Sequence, residues 1–185
     1  MGLPQPKLFL TVEEYLLGER DGTTRHEYIL GQIYAMAGGS DWHNRISGNF
    51  FKKLDSALEN KKCEVFIADM KIRLEPDTFY YPDVVVSCDD PPTDRYFRNQ
   101  PVLLIEVLSP STERIDQNEK LAAYKTIPSL REYAIVWQDA PRVLLYRKTE
   151  SGWQSQMIAD PDQVVVFESI GVTMTLDEIY RNVRW

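Results

Sequence analysis

Residues 101–112 read Pro101-Val102-Leu103-Leu104-Ile105-Glu106-Val107-Leu108-Ser109-Pro110-Ser111-Thr112. From Val102 to Leu108 the run is apolar apart from one acid, Glu106. A short continuous apolar run is the pattern of a central strand covered on both faces. A carboxylate inside such a run must be paired, exposed or functional. Upstream, Tyr81-Pro82-Asp83-Val84-Val85-Val86 carries its acid at the start of the run. If the two strands run antiparallel, the start of one lies beside the end of the other, and Asp83 meets Glu106 at one sheet edge. If they run parallel, the acids stand apart by roughly 13 Å at about 3.3 Å per residue. The loop between them, Cys88 to Pro101, is long enough to permit the antiparallel choice.

Outward from this pair, the chain reads as a mixed sheet with helices, that is α/β or α+β with antiparallel hairpins. Thr11 with Glu14 three residues on is a capping box opening a first helix, which Gly18 and Asp21-Gly22 end. Glu13, Glu14 and Glu19 read as its solvated face. His26–Leu30 and Gln32–Met36 around Gly31 predict a bent strand or a hairpin. Ser40 or Asp41 caps a second helix whose Ile46, Phe50, Leu54 and Leu58 recur at helical spacing. Cys63–Leu74 and Tyr80–Ser87 each read as one strand, joined by the turn Glu75-Pro76-Asp77-Thr78. A third helix runs from Ser109-Pro110-Ser111 to about Lys125. Strands follow over Glu132–Gln138, Arg142–Lys148, Trp153–Ile158 and Val164–Phe167, and Thr175 with Glu178 opens a last short helix.

On the third helix Asp116, Lys120 and Tyr124 share one face, so Lys120 can point at the edge that carries Asp83 and Glu106. Two carboxylates about 5 Å apart repel by roughly 3 kcal/mol at an effective dielectric of about 20. Such a cluster wants a cation, and oxygen-only ligands suit magnesium or manganese better than zinc. A divalent ion there would acidify a bound water and neutralise phosphate charge, which is phosphodiester hydrolysis chemistry. A lysine beside that water can assist its activation. Glu27 is a further acid in an alternating segment. His43 reads as a satisfied first-turn histidine bordering the site. Arg95, Arg98, Arg142, Arg147 and Lys148 read as scattered solvated charge, with phosphate contact the rival reading.

Composition narrows the alternatives. The 185 residues hold 21 Lys+Arg against 28 Asp+Glu, a net charge of −7 that disfavours a general nucleic-acid coat protein. With 43% hydrophobic residues the chain can fill one core, and its length predicts a single domain over 1–185. No phosphate loop, dinucleotide fingerprint, HExxH or GxSxG elbow occurs. Cys63 and Cys88 form no CxxC and read as reduced, buried thiols, which suits the cytoplasm. No signal peptide and no membrane span is expected.

Taken together these stretches resemble a known family. Pro82-Asp83 and Glu106-Val107-Leu108 are similar to the PD-(D/E)xK nuclease signature. The match is closer to its Uma-type branch of restriction endonucleases through Glu27–Met36, His43, Tyr81–Val86, Leu104–Thr112, Asp116, Lys120, Tyr124 and Glu132-Tyr133. The resemblance spans roughly residues 10 to 180. One departure stands out: Leu108 occupies the position of the superfamily's lysine, and Lys120 takes the matching place on the helix. The resemblance implies a restriction-endonuclease-like mixed β-sheet core flanked by helices. It implies Asp83 and Glu106 as metal ligands, Glu27 as the auxiliary acid and further ligand, and Lys120 as the relocated catalytic lysine. It further implies Mg2+ (Mn2+ as substitute), DNA as substrate and a homodimer. The rival from another class is a catalytically inactive binding or assembly module that kept the fold; RNA as substrate is a third option.

Overall fold

The computed structural model describes residues 9–88, 94–109 and 116–185, with the side chains of 116 and 117 outside that description. Among the described residues the strands are β1 (His26–Ile29), β2 (Gln32–Ala35), β3 (Glu64–Ile67), β4 (Lys71–Leu74), β5 (Thr78–Tyr80), β6 (Val84–Ser87), β7 (Phe97–Arg98), β8 (Pro101–Leu108), β9 (Glu132–Trp137), β10 (Val143–Thr149), β11 (Gly152–Ile158), β12 (Val164–Phe167) and β13 (Val172–Thr175). The helices are α1 (Val12–Asp21), α2 (Asp41–Leu58), α3 (Leu121–Tyr124) and α4 (Leu176–Ile179), and a π-type turn over Asp116–Lys120 leads into α3.

The apolar runs form the middle of a six-stranded mixed sheet ordered β11-β10-β9-β8-β6-β3. β6 and β8 pair antiparallel, with Val84 opposite Ile105 and Val85 opposite Leu104, while β8 and β9 pair parallel. Strand parity sends alternate residues to opposite faces. Val84, Val86, Leu103, Ile105 and Val107 pack with Ile46, Phe50, Leu54 and Leu58 of α2, the face predicted from their spacing. Val85, Leu104 and Leu108 pack on the other face with Ile72, Tyr80, Tyr124 and Leu130. The fold is therefore the expected mixed α+β core with antiparallel hairpins.

A second, five-stranded sheet is ordered β2-β1-β5-β4-β7. It exists because two expected single strands are each broken and shared between sheets. Cys63–Leu74 divides at Ala68-Asp69-Met70, where Ala68 takes φ 59°, into β3 of one sheet and β4 of the other. Tyr80–Ser87 divides at Tyr81-Pro82-Asp83, where Pro82 brings no N–H to a ladder. Ala68 N donates to Asp83 O at 3.0 Å, so the two breaks fasten to each other. Around Leu30-Gly31 the hairpin reading holds: both residues have positive φ, 49° and 95°, as a two-residue turn between β1 and β2 requires.

Both capping boxes are present, Thr11 with Glu14 and Thr175 with Glu178, and the Ser40 side chain caps α2. α1 runs through Gly18 and ends at Gly22. Of the expected third helix, the described residues hold the π-type turn and the single turn of α3, and its expected start at Pro110-Ser111 lies outside the described residues. β13 was not anticipated.

The cysteines overturn their sequence reading. Glu64 pairs with Ser87 across β3 and β6, so Cys63 and Cys88 are the next opposed pair, and they form a disulfide while half-buried. The inference of a reducing compartment from reduced thiols loses its basis. Among the described residues no helix is long and apolar enough to cross a membrane.

Candidate active site

Register and parity together decide where the acids go. Counting one step out from the Val84–Ile105 pair sets Asp83 across from Glu106. Glu106 shares parity with Leu104 and Leu108, so its side chain belongs to the face that carries Tyr124, while Asp83 stands just ahead of β6. The antiparallel alternative is the one realised, and Asp83 Oδ2 accepts from Val107 N at 2.7 Å, fixing the two strand ends together.

The face above them closes over this pair. Lys120, at the end of the π-type turn, sends Nζ to Glu106 Oε1 at 3.2 Å and to Glu27 Oε1 at 2.8 Å. Tyr124, one helical turn on, donates to the same Glu106 oxygen at 2.8 Å. Glu106 and Lys120 are only 3% and 5% exposed, so this ion pair is shielded from screening by salt. Burial, then the neighbouring Glu106 charge, pushes the Tyr124 hydroxyl well above the usual range, so it stays a donor. Glu27 belongs to β1 of the other sheet and reaches in across the break, within 3.5 Å of Tyr81 N. The four expected residues, Asp83, Glu106, Lys120 and Glu27, thus line one cavity of about 420 Å³, joined there by His43, Tyr34, Met36, Asp69 and Tyr81.

His43 faces this cavity rather than resting as a bystander: Nε2 lies 3.2 Å from Asp83 Oδ2. Its place one turn into α2, directly after the Gly38-Gly39 break, was the readable signal. The side chain of Asp116 is outside the described residues. Arg147 is engaged elsewhere, with Glu132, Glu168 and Val166 O; Arg98 sits over Phe66 and pairs with Glu64. Neither lines the cavity, so neither reading of scattered solvated charge or site phosphate contact fits them.

A polar network behind Tyr81 was missed. Glu19, expected on a solvated face, is buried; it accepts from Tyr81 Oη at 2.7 Å and faces His26 Nδ1 at 2.9 Å. Burial raises its pKa, but the hydrogen bonds from Tyr81 and His26 outweigh that and hold it below the ordinary carboxylate value. Lys71 Nζ contacts Tyr81 Oη at 3.2 Å and burial lowers its pKa. Only helical parity hinted at this: Glu19 lies one turn after Tyr15, the other buried residue of α1.

Comparison with known proteins now decides the family. The model of the Uma2 family, described as "Putative restriction endonuclease", matches residues 12–177. The chain belongs to the Uma2 family. Two uncharacterized proteins of Synechocystis sp. are relatives: one is 38% identical over 187 residues, covering 98% of this chain and 96% of its own length. The other is 38% identical over 143 residues, covering 75% and 81%. The crystal structure of a "putative nuclease belonging to DUF820" from Anabaena variabilis superposes with a TM-score of 0.77 at 17% identity, covering 92% of this chain and 97% of that one. At that identity the likeness is one of fold alone.

Proposed function

We propose that this Uma2 chain is a magnesium-dependent endonuclease that hydrolyses phosphodiester bonds of DNA. The observation that carries the reading is the convergence of Asp83 and Glu106 on one strand edge with the Lys120 ammonium set against Glu106. The donor set fits a hard divalent ion: two carboxylates from adjacent strand ends suffice for magnesium, which keeps several of its waters. Among the described residues no group of three His, Cys, Asp or Glu side chains is placed to hold a metal ion, so the reading rests on the two carboxylates alone. Lys120 holds the charge of Glu27 and Glu106 instead.

In this reading Asp83 and Glu106 hold the ion, and Glu27 is the auxiliary acid that orients Lys120. The ion, when bound, would lower the pKa of a water and offset charge on phosphate. Lys120 Nζ orients the attacking water by hydrogen bonding and steadies developing negative charge. Tyr124 Oη fixes the Glu106 carboxylate so that its geometry does not drift. Tyr34 of β2 and Met36 just after it line one side of the cavity. Pairing of two copies as a homodimer would give one centre to each strand of a duplex.

The test is nicking of supercoiled plasmid DNA in Mg2+, with an RNA of matched length offered in parallel. Activity in wild type, reduced at least 1,000-fold by Asp83→Ala and about 100-fold or more by Lys120→Ala, is the expected result. Cleavage undiminished by Asp83→Ala overturns the proposal. One observation favours the second reading, an inactive binding or assembly module: Lys120 already satisfies Glu27 and Glu106 without an ion. A melting temperature unmoved by millimolar Mg2+ would support that reading, because an ion bound by the native state alone must stabilise it.

A further inference from the structure

We infer that Tyr34 is a stacking surface for an unpaired base, so that the site takes single-stranded DNA in preference to duplex. The inference rests on the reading of the acid cavity as a nuclease site and names the form of DNA that the cavity accepts. Register puts the ring there. Tyr34 is the partner of Glu27 across the β1/β2 ladder, and residues directly opposite share a face of the sheet. Glu27 is the acid that meets Lys120 Nζ at 2.8 Å. A phosphate drawn to Lys120 therefore brings its nucleotide alongside Tyr34.

The ring is open to a ligand. β2 is the edge strand of its sheet. Tyr34 is 49% exposed and Met36, two residues on, is 39% exposed, and both line the cavity. The Tyr34 hydroxyl donates to Gln32 Oε1 at 2.7 Å, a same-face contact that steadies the far end of the ring. Tyr81, the other tyrosine of the lining, is buried, with its hydroxyl engaged by Glu19 and Lys71. Charge points to the same substrate. Duplex binding draws its affinity from lysines and arginines that neutralise phosphates. The lining sets Glu27, Asp69, Asp83 and Glu106 against one lysine, Lys120, and no arginine, and Glu27 and Glu106 already hold that lysine. Stacking on an aromatic face supplies affinity without such charge, and it requires a base freed from its pair. The cavity, about 420 Å³, is of the size that holds one small ligand.

The test is fluorescence anisotropy, a readout independent of cleavage. A short fluorescein-labelled DNA strand, and the same strand annealed to its complement, are titrated with the full-length protein, Ca2+ standing in for Mg2+. The expected result is single-strand binding tighter than duplex binding by about tenfold or more. Tyr34→Ala loses about tenfold of that affinity, the effect of one stacked base, and Tyr34→Phe keeps it because the ring remains. Ile33→Ala, on the opposite face of β2 and outside the lining, binds as wild type. Duplex bound as tightly as the single strand overturns the inference. So does Tyr34→Ala binding like wild type, or Ile33→Ala losing as much as Tyr34→Ala, which would assign the effect to the hairpin and not the ring. The nuclease reading fails separately, in the plasmid assay, through undiminished cleavage by Asp83→Ala.

Discussion

Lys120 is shared by two acids that come from different sheets, Glu27 of β1 and Glu106 of β8. Removing it leaves the buried Glu106 and the half-buried Glu27 without their shared cation, a loss of about 3–5 kcal/mol for a broken buried pair. Lys120→Ala should therefore lower the melting temperature as well as activity. Millimolar Mg2+ should restore more stability to this variant than to wild type, because an ion can take over the displaced ammonium's charge. Equal Mg2+ shifts in differential scanning fluorimetry would contradict that. Glu19 gives a pH-dependent counterpart. Its folded pKa is below the unfolded value of 4.5, so its contribution is present above pH 4.5 and is lost as pH falls through the lower folded value. Glu19→Gln should be less stable than wild type near neutrality, and the difference should shrink on acidification; a constant difference would refute the assignment. At this scale Asp83 and Glu106 were legible because acids in apolar runs are conspicuous, Lys120 because it shares a helix face with Tyr124, and Glu27 chiefly through the family resemblance. Glu19 was not, since one buried acid on a helix that buries little looks like its exposed neighbours until Tyr81 is folded against it.

Helix α2 illustrates what an element contributes. Its buried face, Ile46, Phe50, Leu54 and Leu58, covers the β6/β8 strands whose ends bear the acids, and its first turn carries His43. Ser40→Ala removes the side-chain acceptor for His43 N and should cost about 1 kcal/mol, or about 2–4 °C in melting temperature. An unchanged melting temperature would contradict the capping role of Ser40. Period and caps made α1, α2 and α4 readable. The strand breaks at Ala68-Asp69-Met70 and Tyr81-Pro82-Asp83 were not, because alternation continues through a break while the chain changes sheets. The break at Pro82 is nonetheless what lets Asp83 stand at the head of β6 and Tyr81 reach back to Glu19.

Across the whole molecule, the cleft lies where the two sheets part, and each sheet supplies part of the charge. The Cys63–Cys88 bond ties edge strand β3 to β6, four residues beyond the valine that follows Asp83. Closing a loop across a sequence separation of 25 stabilises by about 3.5 kcal/mol through the unfolded state. Cys63→Ser with Cys88→Ser, or reductant, should lower the urea midpoint accordingly; an unchanged midpoint would show the bond contributes little. Spacing could not reveal this pair, because only the β3/β6 register puts it together. The central claim is that the strand edge bearing Asp83 and Glu106 is a divalent-metal site. A crystal soaked in Mn2+ tests it most directly, by anomalous scattering at the manganese edge. The account predicts a peak within coordination distance of both carboxylates; a soaked crystal with no peak between them, or with manganese bound only elsewhere, would contradict it.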